Sequence, residues 1–107
     1  MRIRNAYTKS EEILDEEIDF IARVADALAH PARIRMLRYI MACNKRREPV
    51  CNKDLAAAFG YAQSTISQHM KTLIISGLVE VKRAERSSFY YVNIGELARF
   101  LDAAQKI

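Results

Sequence analysis

The segment Gln63-Ser64-Thr65-Ile66-Ser67-Gln68-His69-Met70-Lys71-Thr72-Leu73 gathers the side chains best suited to recognition chemistry in this sequence. Ile66, Met70 and Leu73 fall at i, i+4 and i+7, the spacing of one buried helical stripe. Ser64, Ser67, Gln68 and Lys71 fall on a different face. That face is small, uncharged and able to hydrogen-bond near the helix start, and it becomes cationic one turn later. A helix that enters a DNA major groove N-terminus first needs this order. Short hydroxyls and an amide reach base edges without steric conflict, and a glutamine can pair bidentately with adenine. The helix N-terminus favours a nearby phosphate, and Lys71 and His69 are spaced to meet the backbone. By itself the segment is described equally well as an amphipathic helix with a serine- and threonine-rich solvent face.

Other chemistry is sparse. Cys43 and Cys51 are too few for a disulfide scaffold, so reduced thiols in an intracellular, cytoplasmic protein are expected. Lys45, Arg46 and Arg47 stand close enough in sequence to activate a thiol, which makes Cys43 and Cys51 a candidate redox pair. The competing description makes Cys43 a small buried hydrophobe and leaves Cys51 without a partner. His30 and His69 are expected to lie far apart, with His30 capping or packing at a helix junction. There is no Ser-His-Asp arrangement, Gly-rich phosphate loop or carboxylate pair in a pocket-like context. No enzymatic role and no cofactor are expected.

The elements that must position the 63–73 segment follow from punctuation by Pro31, Pro49, Gly60, Gly77 and Gly95. Ser10 before Glu11-Glu12 reads as a helix cap, and Leu14, Ile18, Ile21, Ala25 and Leu28 form that helix's stripe. His30-Pro31 ends it and opens a second helix with Ile34, Leu37, Ile40 and Met41, running to Cys43. After the basic loop 44–49 come a short helix over 53–59, capped by Gly60, and the helix over 63–76. Residues 78–82 and 89–92 are β-prone, with 83–88 as a charged hairpin loop. A last helix from Glu96 carries Leu97, Leu101 and Ala104, with Phe100 beside them. Two helices joined by a tight turn at Gly60-Tyr61 and followed by a hairpin make a helix-turn-helix with a wing. The fold class is therefore mainly α with a small β-hairpin, about five helices plus a two-stranded wing, in a single domain over 1–107.

Length and charge narrow the function classes. A chain of 107 residues rarely builds both a core and a deep, water-excluding pocket. Half its residues are hydrophobic and 28% charged, which rules against a disordered chain. No apolar run approaches the roughly 18 residues of a membrane helix, and the start of the sequence shows no secretory h-region. The formal charge is +4. Residues 1–20 carry three bases and six acids, whereas the remaining residues carry 14 bases and seven acids. The bulk of the chain is thus suited to a polyanion, and the acidic start to water or a protein partner. Lys82, Arg83 and Arg86 give the hairpin cations that can track phosphate or enter a minor groove. An edge hairpin kept soluble by charge would look the same.

Four stretches together resemble the arsenic-repressor (ArsR/SmtB) family of winged-helix transcriptional regulators. They are Ala25-Asp26-Ala27-Leu28-Ala29-His30-Pro31-Ala32-Arg33-Ile34-Arg35-Met36-Leu37, Asp54-Leu55-Ala56, Ser64 to Leu73, and Ser76-Gly77-Leu78-Val79. The resemblance covers about residues 20–94. It implies a homodimer held by the first and last helices (about 10–29 and 95–107 here). It also implies a repressor that binds a two-fold symmetric operator in double-stranded DNA and is released by an inducer. Many such proteins sense thiophilic metals through Cys-x-Cys. Here the matching residues are Cys51-Asn52-Lys53, and the cationic Lys53 stands where the second thiolate would be. Others hold zinc or nickel between their terminal helices, but residues 93–107 contain no histidine and only Glu96 and Asp102 as acids. A third group pairs cysteines on the second and last helices, and the last helix here has none. No metal is expected, and no inducer is assigned.

The reading is thus a homodimeric, sequence-specific DNA-binding repressor that makes no use of a membrane. Its candidate DNA contacts are Lys53, Gln63, Ser64, Thr65, Ser67, Gln68, His69, Lys71, Arg83 and Arg86. Two alternatives stand beside it. One is a winged-helix module that binds another protein, suggested by Ile74 and Ile75 at a helix end where relatives carry charge. The other is a repressor that responds to thiol oxidation or sulfur through Cys43 and Cys51.

Overall fold

The computed structural model describes residues 12–107. Its order is α1 (Asp15–Ala27), α2 (Pro31–Lys45), α3 (Asn52–Phe59), α4 (Gln63–Ile75), β1 (Val79–Ala84), β2 (Ser87–Val92) and α5 (Ile94–Ala104). This is the winged helix-turn-helix expected from the sequence, with five helices and one antiparallel hairpin. No helix among the described residues is long and apolar enough to cross a membrane.

Local chemistry sets most boundaries. The expected cap at Ser10 lies outside the described residues. The helix begins at Asp15, where the Glu17 carboxylate accepts the Leu14 N–H at 3.1 Å. His30 caps α2 through Nδ1, which accepts the Ala32 N–H at 3.1 Å, with Pro31 in the first turn where its missing N–H does no harm. The Asp54 carboxylate accepts the Cys51 N–H and starts α3. Gly60 ends that helix in the left-handed conformation (φ 69°) that favours glycine. Asn93 accepts the Glu96 N–H and starts α5 two residues earlier than expected.

The core is one cluster. Met36 and Ile40 of α2, Leu55 of α3, and Ile66, Met70 and Leu73 of α4 are sealed from water with Leu78 and Val79. Phe20 and Val24 of α1 and Tyr90 and Val92 of β2 close it. The stripes read for α1 and α2 meet the core only in part, and the exposed end of the α1 stripe is the part expected to face a partner. Leu14 and Ile18 are 60% and 47% exposed, while Phe20, Val24 and Ala27 face the core. Ile34 is 44% exposed, while Ala32, Met36 and Cys43 join Leu37 and Ile40 inside. Both helices carry apolar residues on two sides, and periodicity cannot say which side meets the chain's own core.

The hairpin also differs. The loop expected over 83–88 shrinks to Glu85-Arg86, because Arg83 pairs with Ser88 and Ala84 with Ser87. Glu85 takes the tight reversal at φ 57°. The outer edge of β2 is not left open. The Tyr90 N–H donates to the Val50 carbonyl at 2.9 Å, the Asn44 side chain accepts the Val92 N–H at 2.9 Å, and its Nδ2 donates to the Tyr90 carbonyl at 3.2 Å. The wing is thus anchored at its base to the end of α2.

Candidate nucleic-acid interface

α4 is positioned from three sides. Its inner stripe, Ile66, Met70 and Leu73, is at most 1% exposed. Burying three side chains of this size contributes about 1.5–3 kcal/mol each relative to leaving them in water, so the helix cannot roll without exposing them. At its C-terminal end the Ser76 hydroxyl donates to the Leu73 carbonyl at 2.7 Å and accepts the Leu78 N–H at 3.2 Å. Ser76 and Gly77 (φ 90°) thereby turn the chain straight into β1. At its N-terminal end Asn52 of α3 donates through Nδ2 to the Gln63 carbonyl at 3.2 Å and to Ser67 Oγ at 2.8 Å.

With the inner stripe fixed, Gln63, Ser64, Thr65, Ser67, Gln68 and Lys71 are all exposed. Three of the cations expected to meet phosphate, Lys53 in the first turn of α3, Arg83 on β1 and Arg86 in the turn, are exposed as well. Exposed hydroxyls, amides and cations without an acidic neighbour on the α4 face can hydrogen-bond base edges and offset phosphate charge. Ser67 is partly committed: its oxygen accepts from Asn52, which leaves its own proton free to donate. Asn52 was not singled out by the sequence. The signal was there, since an Asn in the first turn of the preceding helix can reach across a tight helix-turn-helix, but its partner 15 residues on cannot be read from periodicity.

His69 is placed differently from its neighbours. It is only partly exposed and faces inward. Its ring lies 4.8 Å from that of His30 in an edge-on arrangement and 6.4 Å from that of Tyr61. Arg33 Nη1 stands 3.4 Å from His69 Nδ1. The expectation that His30 and His69 lie far apart is therefore wrong. The first turn of α2 packs against the middle of α4 because Ala32 and Met36 share the core with Ile66 and Met70. Burial, then His30, then Arg33 hold the His69 imidazole below the ordinary histidine range.

The cysteines are both free thiols. Cys43 is 5% exposed, with Arg46 Nη2 3.9 Å from its sulfur, and Cys51 is half-buried at the start of α3. Lys53 is exposed at the position where a second thiolate would complete a chelate. Among the described residues no three His, Cys, Asp or Glu side chains converge on one point.

A family model described as a helix-turn-helix domain matches residues 28–82. Over 84 residues the chain is 36% identical to the HTH-type transcriptional regulator NmtR of Mycobacterium tuberculosis, a stretch covering 78% of this chain and 66% of that protein, just under two thirds of its length. An ArsR-like transcriptional regulator from Rhodococcus sp. RHA1 superposes with a TM-score of 0.71 at 22% identity, covering 83% of this chain and 79% of its own. The chain belongs to the ArsR family of winged-helix transcriptional regulators. The helix-turn-helix match spans α2 to β1, and the similar proteins are described as transcriptional regulators. A further ArsR-type structure is the homodimeric winged helix-turn-helix DNA-binding domain Mb0332 from Mycobacterium bovis, a possible member of the family. It has a TM-score of 0.65 and 27% identity, covering 82% of this chain and 77% of its own.

Proposed function

We propose that this ArsR-family chain is a homodimeric repressor that reads a two-fold symmetric operator in the cytoplasm and leaves it on a signal. The observation that carries this is the division of α4: Ile66, Met70 and Leu73 are sealed inside, while Ser64, Gln68 and Lys71 stand in water. Two copies of Gln63 to Lys71 would enter successive major grooves about 34–36 Å apart. Ser64, Thr65, Ser67 and Gln68 would read bases, and Lys53, Lys71, Arg83 and Arg86 would meet phosphates. His69, turned toward Arg33, would anchor the helix rather than touch DNA. The dimer would use the apolar side chains that α1 and α5 leave exposed, Ile18, Ile94 and Leu101 among them. Because Lys53 breaks the thiolate pair, the releasing signal would not be a thiophilic metal at the start of α3.

The test is fluorescence anisotropy with a duplex selected from a random-sequence library. A dimer engaging half or more of its eight candidate cations should show a log–log salt slope of about −3.6 or steeper. A salt-insensitive interaction, or a protein that stays monomeric, overturns the proposal. A second reading, capture of a protein partner, has one observation in its favour: Ile75 is 70% exposed at the end of α4. Duplex binding that survives Ile75→Glu would set it aside.

A further inference from the structure

Arg33 makes contacts on two sides of the molecule. Its Nε donates to the Ala27 carbonyl at 2.6 Å, an orphan at the end of α1, and its Nη2 to the Asp26 carbonyl at 3.3 Å, which also accepts the Ala29 N–H. Its Nη1 reaches His69 Nδ1 at the middle of α4. A guanidinium has donors only, so His69 Nδ1 must accept and its proton must sit on Nε2. One rigid, planar group thus spans the helix proposed to hold the dimer together and the helix proposed to read DNA.

We propose that Arg33 is a positioning residue for DNA recognition, tying the end of α1 to α4 through neutral His69, and that protonation of His69 undoes the tie. This rests on the DNA-binding reading above. The chemistry is direct. A histidinium has two donors and no acceptor, so it cannot receive the Arg33 N–H and instead places a second positive charge beside the guanidinium. Three elements face the His69 ring: Arg33 on α2, His30 at the junction of α1 and α2, and Tyr61 in the turn before α4. None of these groups carries a negative charge that would welcome the proton. His30 cannot relay it away through Nδ1, which already accepts the Ala32 N–H. Acid should therefore displace the middle of α4 from the first turn of α2 and weaken DNA binding. Generic electrostatics predicts the reverse, because protonating a histidine near DNA adds attraction to phosphate.

The experiment measures affinity for a duplex selected from a random-sequence library, at about pH 7.5 and about pH 5.5, on either side of the ordinary histidine range. Melting curves and sedimentation at each pH follow folding and dimer formation. Wild type should bind about tenfold or more weakly at the acid value, within the usual range of coupling between two parts of a protein. His69→Asn keeps an acceptor near the Nδ1 position but cannot titrate, so its ratio of affinities between the two pH values should collapse towards one. His30→Asn, which still caps α2, should keep the acid sensitivity. Arg33→Gln should bind more weakly at the neutral value and lose the acid effect while still dimerising. If Arg33→Gln fails to fold, the His69→Asn ratio decides alone. Tighter wild-type binding in acid, or a His69→Asn profile matching wild type, overturns the inference. Wild type that binds no duplex at either pH overturns the DNA-binding reading instead, and this inference with it.

Discussion

The recognition helix and the terminal helices treat their apolar side chains in opposite ways. α4 seals Ile66, Met70 and Leu73 at no more than 1% exposure and shows water a polar face, with Ile75 the one large exception. α1 and α5 turn Phe20, Val24, Ala27 and Ala103 inside, yet they leave Ile18, Ile94 and Leu101 at 47%, 63% and 53% exposure. The first pattern suits a target rich in hydrogen-bond donors, acceptors and charge. The second suits an apolar partner, because polar solvent gains nothing from contact with isoleucine and leucine. On the function proposed above, the difference separates a surface for recognition from one for assembly.

The sharpest way to break this comparison is to charge the terminal face. Ile18→Glu with Leu101→Glu should leave a folded chain, since neither side chain is in the core. It should abolish the dimer and lower duplex affinity by about 10²–10⁴-fold, the usual gain from linking two binding units. Sedimentation and anisotropy on the same samples check both statements. A doubly charged protein that stays dimeric would show that assembly uses another surface.

Leu73→Ala is the matching change on the other side. Leu73 is fully enclosed, so truncation should cost about 2–5 kcal/mol of stability. Leu101→Ala, on an exposed site, should change the unfolding free energy of the single chain, measured at dilutions where the dimer has dissociated, by about 0.5 kcal/mol or less. Urea titrations of the two variants measure the contrast directly.

This contrast also shows what was legible in the sequence. The α4 stripe was readable because the helix has one apolar face and one polar face, so period and burial agree. The same reading put Ile34 on the buried side and missed Phe20, Val24 and Ala27 as the inner face of α1, because α1 and α2 are apolar on two sides and no local rule ranks them. Gly60 and Pro31 marked true boundaries, since each demands a particular backbone. The hairpin turn was read too long because a run of charged residues looks like loop, whereas Arg83 and Ser88 are paired. What stayed hidden was long-range and polar: Asn52 on Ser67, Asn44 on the edge of β2, and Arg33 between α1 and His69. Such bonds depend on how helices are stacked, which sequence spacing does not encode.

Within the recognition face the two kinds of contact should separate cleanly. Gln68→Ala should cost about 1–3 kcal/mol against the preferred base pair and little against a scrambled duplex. Lys71→Ala should weaken binding to every duplex alike and flatten the salt slope by about two for a dimer, one phosphate per protomer. Equal losses on matched and scrambled DNA for Gln68→Ala would place the base-reading group elsewhere on α4.

The smallest expected effect lies on the assembly side, where Lys106 Nζ donates to the Glu17 carboxylate at 2.7 Å and links α5 to α1. The hydrogen bond from Lys106, and then the Leu14 N–H, hold the Glu17 carboxyl below its ordinary value of 4.5. A carboxylate with a depressed folded value stabilises the protein above its unfolded value, and that contribution disappears as the pH falls through the folded one. Glu17→Gln should therefore lower the melting temperature slightly at neutral pH and remove part of the loss seen below about pH 4.5, close to the ordinary carboxylate value. Both groups reach solvent, so salt should shrink the difference. Melting curves from acid to neutral pH, at low and high salt, test the sign. A wild type whose melting temperature does not change relative to Glu17→Gln across that range would mean that α1 and α5 are held by their apolar contacts alone, leaving charge only to the recognition side.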